Sequence, residues 1–470
     1  MKKNKNILVL ILVIIYTTFF ASVLLSAATN NNNNKNKNNN KMIIISIDGM
    51  NATYYTQSSF PLPTIKQLAK EGVTASEVKT VFPSVTYANH TSMMTGHYPD
   101  KHGIYANKIF DPESGPQKKW LWATSRIKVP TLWQKARENK KTVAMLMWPV
   151  SLGTVENWIV PEIFPVDGMR SRTQWDYTME RATPGLMNEL DKALKGKRPT
   201  NDDEWDQWDT DAAVYIRDKY KPDLLMIHIN MMDNAQHEFG RDGVEVREAM
   251  KKTDDMVKKI IEGVDKKSTC IVVLGDHGLA DYKRVINPNV LLVKGGFIKL
   301  DDSGSGQIKS WEAVIDNNGP GAGVYVKSAK NKNRVLKYLS ENARVGKGKE
   351  KELLYNIIDK SKLKKLNALP DASFALEAKK GYTFGTELTG ELIVEEKRVR
   401  GDHGYLPTNP DMNAGFIISG CGITNGSKNG SKNGKSIGKI NIVDVAPTLA
   451  KLMGFSMGHT SGQAIPMARP

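Results

Sequence analysis

Three separate apolar runs that each lead to an aspartate are the feature that most constrains the fold. "MIIISID" ends at Asp48, "PDLLMIHINMMD" reaches Asp233, and "TCIVVLGD" ends at Asp276. Short apolar runs without polar alternation are typical of strands buried on both faces of a parallel sheet. Patterns typical of helices separate these runs. We therefore expect an α/β fold with a mostly parallel central sheet flanked by helices.

Further elements are predicted around this core. Helical patterns cover residues 62–71, 91–95, 131–139, 204–220 and 243–263, and "TVAMLMW" at 142–148 is typical of another buried strand. Residues 281–399 differ, because short strands there mix with helical patterns at 333–342 and 350–360. This composition predicts a small inserted α+β subdomain at 281–399. The main catalytic domain would then comprise residues 42–280 and 400–470, with "NGSKNGSKNGK" at 425–435 as a surface loop.

The first residues have the composition of a targeting segment. A basic start, "MKKNKN", precedes an apolar run at 7–25 and small residues at 26–28. We expect residues 1–28 to be a signal peptide or a signal anchor, with 7–25 as a membrane tether in the second case. The Asn- and Lys-rich tract at 29–41 is too polar to pack and is predicted to be a spacer. The folded part would lie outside the cytoplasm, secreted or tethered to the outer face of a membrane.

The chain is basic, with a formal net charge of +16. Such a charge suits anionic substrates or surfaces, although a lysine- and asparagine-rich genome produces the same bias. Because no compact cluster of Lys and Arg alternates with aromatic residues, we do not expect nucleic acid to be the main partner. The oligomeric state has no sequence signal.

The chain contains two cysteines, Cys270 and Cys421, and both follow or lie within apolar runs. Their spacing fits neither a metal knuckle nor a redox motif. We expect two buried free thiols, and one disulfide is the alternative.

The three aspartates are expected to meet at one edge of the sheet, because ligands of open α/β sheets bind at the carboxyl ends of strands. A single strand-end aspartate is more often a cap or turn residue. Here "DNAQH" adds His237, "GDHG" adds His277, and a second "GDHG" adds His403. Carboxylates together with imidazoles suit Zn²⁺. The glycines on both sides of Asp276 and His277 are expected to permit a sharp turn.

Thr86 lies in "FPSVTYANHTSMMTGHYPDKHG" (82–103), between a strand-like segment and a helical pattern. One interpretation is a simple helix N-cap, although a helix N-terminus also presents N–H groups to an anion. A threonine hydroxyl is a weak nucleophile at neutral pH, and coordination to a metal lowers its pKa. Asn89 follows about one turn later and has an amide that could donate to the same anionic oxygen.

Taken together, the motifs of this chain resemble the nucleotide pyrophosphatase/phosphodiesterase family (type I phosphodiesterases) of the alkaline phosphatase superfamily. They occur in the order found in that family, and the resemblance spans about residues 42–460. It implies an alkaline-phosphatase-like core. The motifs are "SIDGM" (46–50), "FPSVTYANHTSMMTGHYPDKHGI" (82–104), "WPVS" (148–151), "MMDNAQHEFG" (231–240), "GDHGL" (275–279), "GYTFG" (381–385) and "GDHGY" (401–405).

The resemblance implies two Zn²⁺ ions per chain and a hydrolase mechanism. Thr86 would be the nucleophile, Asn89 and the Thr86 N–H would hold a non-bridging phosphoryl oxygen, and Tyr87 would stack on a nucleobase. The implied ligands are Asp233, His237 and His403 for one ion, and Asp48, Thr86, Asp276 and His277 for the other.

The implied activity is hydrolysis of phosphodiester or pyrophosphate bonds through a covalent threonyl intermediate, with release of a nucleoside monophosphate from nucleotide substrates. The chain departs from vertebrate relatives, which usually have Glu-Pro before the aspartate of "NMMD" and often a lysine where Val85 stands. The substrate therefore stays open at this point. The alternatives are a phosphomonoesterase, a choline-phosphate or phospholipid diesterase, and an inactive binding module.

Overall fold

A mixed sheet with a parallel centre organises the chain in the computed structural model. The structure describes residues 40–165, 172–303, 306–346, 351–423 and 435–467. The predicted leader at 1–28, nearly all of the spacer at 29–41 and nearly all of the loop at 425–435 lie outside these residues. None of the helices in the described ranges combines the length and apolar character that a bilayer crossing requires.

Helices and strands alternate along most of the described chain. The helices are α1 (Thr53–Thr56), α2 (Pro63–Glu71), α3 (Thr86–Thr95), α4 (Pro99–His102), α5 (Leu132–Glu138), α6 (Gln174–Arg181), α7 (Leu186–Ala193), α8 (Asp202–Tyr220), α9 (Met231–Phe239), α10 (Val244–Ile261), α11 (Pro288–Lys294), α12 (Lys332–Glu341), α13 (Lys360–Lys365) and α14 (Val445–Leu452).

The strands fall into one large sheet and several small ones. They are β1 (Lys41–Ile47), β2 (Val73–Thr74), β3 (Glu77–Lys79), β4 (Lys108–Asp111), β5 (Gly115–Trp120), β6 (Val143–Leu146), β7 (Trp158–Val160), β8 (Leu224–Ile229), β9 (Thr269–Gly275), β10 (Ala280–Ile286), β11 (Ile298–Leu300), β12 (Ile308–Trp311), β13 (Ala313–Asn318), β14 (Gly321–Val326), β15 (Arg344–Val345), β16 (Glu352–Leu353), β17 (Tyr355–Ile358), β18 (Phe374–Ala378), β19 (Gly381–Phe384), β20 (Ile393–Asp402), β21 (Phe416–Gly420), β22 (Lys435–Ser436) and β23 (Lys439–Asn441).

The large sheet has the order β22-β2-β21-β9-β1-β8-β6-β7. Five neighbouring strands run parallel to one another: β9, β1, β8, β6 and β7. Strand β21 pairs with β9 in antiparallel orientation. At its centre, Ile44 lies between Met226 and Val272 and has no exposed surface. Apolar side chains cover both faces, since the odd- and even-numbered residues of β1 enter two different core clusters. The predicted α/β fold with a mostly parallel sheet is confirmed.

Residues 281–399 carry a four-stranded antiparallel sheet in the order β13-β14-β18-β17, with an apolar cluster of their own. The predicted helix at 350–360 is wrong, because β16 and β17 occupy residues 352–358. Tyr355 and Ile358 are buried there, and pairing with β18 outweighs the local helical pattern. Helix α13 begins only after Asp359, whose side chain accepts a hydrogen bond from the Lys362 N–H.

Helix α3 begins at Thr86, five residues before the predicted start at 91. All ten of its residues are buried. Val85 has extended backbone angles and occupies the N-cap position, so Thr86 is the first helical residue and not the cap. The hydroxyl of Thr86 is therefore not used to cap the helix.

The expectation of two free thiols is wrong, because Cys270 and Cys421 form a disulfide. Strands β9 and β21 pair so that Cys270 lies opposite Gly420, which brings the next residue, Cys421, beside it. The sequence separation of 151 residues hides this proximity, since it depends on which strands are neighbours. Disulfides persist in oxidising compartments, in keeping with an extracytoplasmic location.

The disulfide predicts a measurable loss of stability on its removal. We expect the double variant Cys270→Ala/Cys421→Ala to lower the free energy of unfolding by about 2–5 kcal/mol, since the cross-link closes a long loop. Urea denaturation with and without a reducing agent measures this effect. The reductant should destabilise the native chain and leave the double variant unchanged. An equal response of the two proteins would contradict the assignment.

Candidate metal centre and the cavities beside it

The carboxyl ends of three strands of the large sheet bring acidic side chains to one place. Asp48 follows β1, Asp276 follows β9, and Asp233 lies in the first turn of α9, just after β8. Because β8, β1 and β9 are adjacent and parallel, their carboxyl ends lie side by side. All three carboxyl groups are buried.

Around the end of β9, three predicted ligands converge on a ring nitrogen of the fourth, His277. His277 Nε2 lies 3.3 Å from Asp48 Oδ1 and 3.2 Å from Asp276 Oδ2. Thr86 Oγ1 is 3.3 Å from the same nitrogen. We call Asp48, Thr86, Asp276 and His277 the β9 cluster.

The remaining predicted ligands meet beside α9. His237 Nε2 lies 3.2 Å from Asp233 Oδ2, and His403 Nε2 lies 4.0 Å from Asp233 Oδ1. We call these three residues the α9 cluster. The His403 ring stacks on His277, with centroids 3.7 Å apart, so the two clusters are in direct contact.

Backbone carbonyls orient the two histidines of the α9 cluster. The Nδ1 of His237 donates to Gly401 O (3.0 Å), and the Nδ1 of His403 donates to Ser84 O (2.9 Å). Because Nδ1 of each ring is held by a carbonyl group, Nε2 is the nitrogen that faces Asp233 and that could bind a metal in its deprotonated form. Metal-binding histidines are typically held in this way.

Several buried polar atoms in these clusters make no hydrogen bond within the described chain, although two of the carboxylate oxygens lie close to His277 Nε2. The buried atoms Asp48 Oδ1, Asp233 Oδ1, Asp276 Oδ2 and His277 Nδ1 make no hydrogen bond there. Unsatisfied buried carboxylate oxygens are costly, and a divalent cation would compensate them. The ligand atoms of Asp48, Asp276 and His277 all lie within 4.8 Å of one another, as do those of Asp233, His277 and His403. The donor set therefore fits a buried metal centre.

The pKa shifts of the residues in the two clusters are those expected of a site that binds a cation. Burial, reinforced by the Asp233 carboxylate, raises the pKa of Asp48, and burial with the Asp48 carboxylate raises the pKa of Asp276. Burial lowers the pKa of His277 and of His403, which keeps both imidazoles in the neutral form that metals bind. Burial opposes a charge on His237, but the adjacent Asp233 carboxylate raises the pKa of His237 to about 10.

The glycines that flank Asp276 and His277 serve close packing and not a sharp turn. Neither has a positive φ. A Cβ at Gly275 would lie 1.9 Å from Met50 O, and one at Gly278 would lie 2.3 Å from Asp411 O. Side chains at these positions would push the β9 connection away from the Asp48 connection and separate the ligands.

The two asparagines near Thr86 occupy different environments. Asn89 is fully buried, its Oδ1 accepts the Val81 N–H (3.0 Å), and its Nδ2 faces Ser84 Oγ (3.3 Å). It is absent from the described lining of both cavities beside the clusters. Asn107 lines both cavities, and its Oδ1 accepts the N–H of Tyr87 (2.9 Å).

A cavity of about 510 Å³ opens next to Thr86, and we call it the acidic cavity. Tyr87 lines it with none of its surface exposed, and the Tyr87 hydroxyl donates to Glu162 Oε2 at 2.5 Å. Trp120 and Phe164 are half-buried in the same wall, with ring centroids 4.9 Å apart. The carboxylates of Glu162, Asp202 and Asp206 complete this wall.

A second cavity, of about 730 Å³, lies on the other side of the α9 cluster, and we call it the hairpin cavity. It shares Asn107, Trp120, His237 and His403 with the acidic cavity. The β4–β5 hairpin contributes Lys108 and Lys118 to its lining. The two cavities therefore differ in charge.

Further residues touch the predicted ligands only through the fold, and of these the sequence pointed to His90, beside Asn89, as a residue that could orient a ligand. His228, which its place in a strand marks as a core histidine, has its Nε2 3.2 Å from Asp48 Oδ2. His90 contacts Thr86 O (2.9 Å) and Ser46 Oγ (2.8 Å). The residues next to a histidine or asparagine in the sequence do not show which distant residues its side chain will contact. The "GDHG" motif did contain a signal for Asp402, whose Oδ1 accepts the His403 N–H.

Comparison with known proteins identifies relatives for most of this chain. The family described as type I phosphodiesterase / nucleotide pyrophosphatase matches residues 42–406. An uncharacterized pyrophosphatase/phosphodiesterase of Schizosaccharomyces pombe is 26% identical over 82% of this chain and 72% of its own length. Human bis(5'-adenosyl)-triphosphatase ENPP4 is 23% identical over 89% of this chain and 80% of its own. Human ectonucleotide pyrophosphatase/phosphodiesterase family member 1 is 24% identical, and the match spans only 23% of its length.

A solved structure shares the fold. Murine ectonucleotide pyrophosphatase/phosphodiesterase 5, in an inactive threonine-to-alanine form in complex with AMP, superposes with a TM-score of 0.61 at 16% identity. The superposition covers 90% of this chain and 97% of the murine chain. With the family match over residues 42–406, this chain belongs to the type I phosphodiesterase / nucleotide pyrophosphatase family of the alkaline phosphatase superfamily, and is a metal-dependent hydrolase of that family.

Proposed function

We propose that the protein is a two-zinc phosphodiesterase that cleaves nucleotide substrates at a phosphodiester or pyrophosphate bond and releases a nucleoside monophosphate. The convergence of Thr86 with two contiguous clusters of buried carboxylates and imidazoles carries this proposal. One ion would be held by the α9 cluster and the other by the β9 cluster. When bound, the ions would supply positive charge that activates a hydroxyl and offsets the charge of the phosphoryl group.

Thr86 is the proposed nucleophile. Its hydroxyl belongs to the β9 cluster, and its position at the start of α3 fixes it relative to the sheet. Thr86 Oγ1 would form a bond to phosphorus while the bond from phosphorus to the leaving-group oxygen breaks. Water would then displace Thr86 Oγ1 and release the product.

The start of α3 also offers donors for a phosphoryl oxygen. The Thr86 N–H donates to no group within the described chain, and it lies at a helix N-terminus, where anions are stabilised. Asn89 was expected to assist, but its amide is engaged with Val81 and Ser84. The geometry favours Asn107, because its Oδ1 is held by the Tyr87 N–H and its amide lies in the cavity wall.

The two cavities suit the two sides of a substrate. Thr86 and Tyr87 line the acidic cavity, so the nucleoside that stays on the phosphoryl group would occupy it. Tyr87 has no exposed surface and packs against Trp120, so the half-buried rings of Trp120 and Phe164 would provide the stacking surface for the base. The leaving group would enter the hairpin cavity, where Lys108 and Lys118 offset the carboxyl groups of Asp316 and Asp402 and could contact an anion.

We also place the protein outside the cytoplasm, secreted or tethered to a membrane. The Cys270–Cys421 disulfide supports this location, since disulfides are rare in reducing compartments.

Metal analysis tests the two ligand sets. We expect purified protein to hold two zinc ions per chain by elemental analysis, and His403→Ala to hold about one, because the α9 cluster then keeps only two ligands. His97→Ala is the matched control, since that histidine contacts Ser461 and His459 and belongs to neither cluster. Two ions retained in His403→Ala, or none in the native protein, would refute the assignment.

Replacement of the nucleophile tests the covalent step. Thr86→Ala should lower kcat by at least about 10³-fold, because no other hydroxyl takes its place, while zinc content stays close to that of the native protein. Turnover and metal content are measured on the same sample. Near-native activity in Thr86→Ala would exclude Thr86 as the nucleophile.

A substrate panel separates the proposed function from its alternatives. We expect 4-nitrophenyl thymidine monophosphate to be cleaved faster than 4-nitrophenyl phosphate and 4-nitrophenyl phosphorylcholine, and a chelator to stop cleavage. Preference for the monoester would indicate a phosphomonoesterase, and preference for phosphorylcholine a choline-phosphate diesterase. Absence of cleavage of all three would indicate an inactive binding module.

A further inference from the structure

The Glu162 carboxyl is placed where it can accept a hydrogen bond from a ligand. Only 6% of Glu162 is exposed, and that surface lies in the wall of the acidic cavity. One oxygen, Oε2, already accepts the hydroxyl of Tyr87. Within the described residues, the other oxygen, Oε1, accepts no hydrogen bond, and it is not among the fully enclosed polar atoms that lack a partner. A donor for Oε1 therefore has to come from a ligand or water in the cavity.

The rest of the cavity wall supplies few competing donors. No lysine or arginine is among the described residues that line the acidic cavity. The neighbouring Asp206 carboxylate is already satisfied, because it accepts the N–H groups of Asn230 and Met231. Apart from the proposed metal ligands Asp48 and Asp233, the carboxyl groups with capacity for a ligand donor are therefore those of Glu162 and Asp202.

The aromatic side chains that line the acidic cavity indicate the shape of the ligand that fits it. Trp120 contacts Tyr87 edge to face at 5.5 Å, and Phe164 contacts Trp120 in the same way. Half-buried aromatic faces favour a flat ring, and carboxylate oxygens at its edge favour N–H groups over carbonyl groups. A nucleobase with an exocyclic amino group combines both properties.

We propose that Glu162 is a specificity-determining residue that accepts a hydrogen bond from the exocyclic amino group of the base, so that amino-bearing bases are preferred over their oxo counterparts. This inference rests on the proposed function. An oxo group at the same position would present its lone pairs to Glu162 Oε1 and leave that oxygen without a donor.

Two substrates that differ at C6, and in the proton that the oxo base carries on the adjacent N1, test the proposal. The 4-nitrophenyl 5'-esters of AMP and IMP share the leaving group, the ribose and the purine ring. We expect kcat/KM for the AMP ester to exceed that for the IMP ester by about tenfold, the effect of one hydrogen bond. Equal values for the two esters would overturn the proposal.

Variants assign the preference to Glu162. In Glu162→Gln the ratio of the two kcat/KM values should fall to about two or below, since the carboxylate is replaced by an amide that also donates. Glu156→Gln is the matched control, because that buried carboxyl pairs with Arg137 and does not line the cavity. The ratio should stay near its native value there. An unchanged ratio in Glu162→Gln would overturn the proposal.

The ratio of the two kcat/KM values distinguishes a specificity role of Glu162 from a structural role. Both rates are measured on one enzyme sample, so their ratio does not depend on how much of a variant is folded.

If neither ester nor bis(4-nitrophenyl) phosphate is cleaved by the native protein, the proposed function fails. If all are cleaved and the AMP and IMP esters are equivalent, only the Glu162 inference fails. Faster cleavage of 4-nitrophenyl phosphorylcholine than of the AMP ester, lost in Glu162→Gln, would assign the cavity to an ammonium group and overturn the proposal.

Discussion

The gathering of three buried carboxyl groups at one edge of the sheet governs the rest of this structure. Asp48, Asp233 and Asp276 lie at the ends of adjacent parallel strands, where water is excluded and their charges repel one another. Burial is the first cause of the raised pKa values of Asp48 and Asp276. Such a cluster is stable as carboxylates only beside positive charge. His237, whose pKa is raised to about 10, offsets one of the three charges, and the neutral imidazoles of His277 and His403 offset none.

The sheet makes this arrangement rigid because its strands are buried on both faces. Close approach at Gly275 and Gly278 then holds the β9 connection against the Asp48 connection. Carbonyl groups of Ser84 and Gly401 orient the two histidines of the α9 cluster from the opposite side. The ligands are thus positioned by the backbone of the fold, while the surrounding cavities are shaped by loops and by the β4–β5 hairpin. Substrate preference can therefore vary with little change to the centre.

The sequence predicted the sheet and the convergence of the candidate metal ligands because both depend on local patterns. Apolar runs that lead to Asp48, Asp233 and Asp276 indicate strand and ligand together, and the "GDHG" motifs place histidines beside the same edge. Contacts between distant segments had no such signal. The disulfide follows from the pairing of β9 with β21. Likewise, Asn107 approaches Thr86, and Glu162 approaches Tyr87, only because of tertiary packing.

The predicted helix at 350–360 failed for a related reason. Residues 355–358 pair with β18, and the free energy gained by burying Tyr355 and Ile358 in that sheet exceeds their weak local preference. The Asp359 cap then delays the helix to the lysine-rich segment that follows. Local propensity decides the secondary structure only where burial favours neither a helix nor a strand, and here burial favours the strand.

Crystallography with anomalous diffraction on either side of the zinc absorption edge tests the central claim most directly. The account predicts two zinc peaks, one among Asp233, His237 and His403 and the other among Asp48, Thr86, Asp276 and His277. Absence of anomalous density at these residues in an active preparation, or zinc bound elsewhere on the protein, would contradict it.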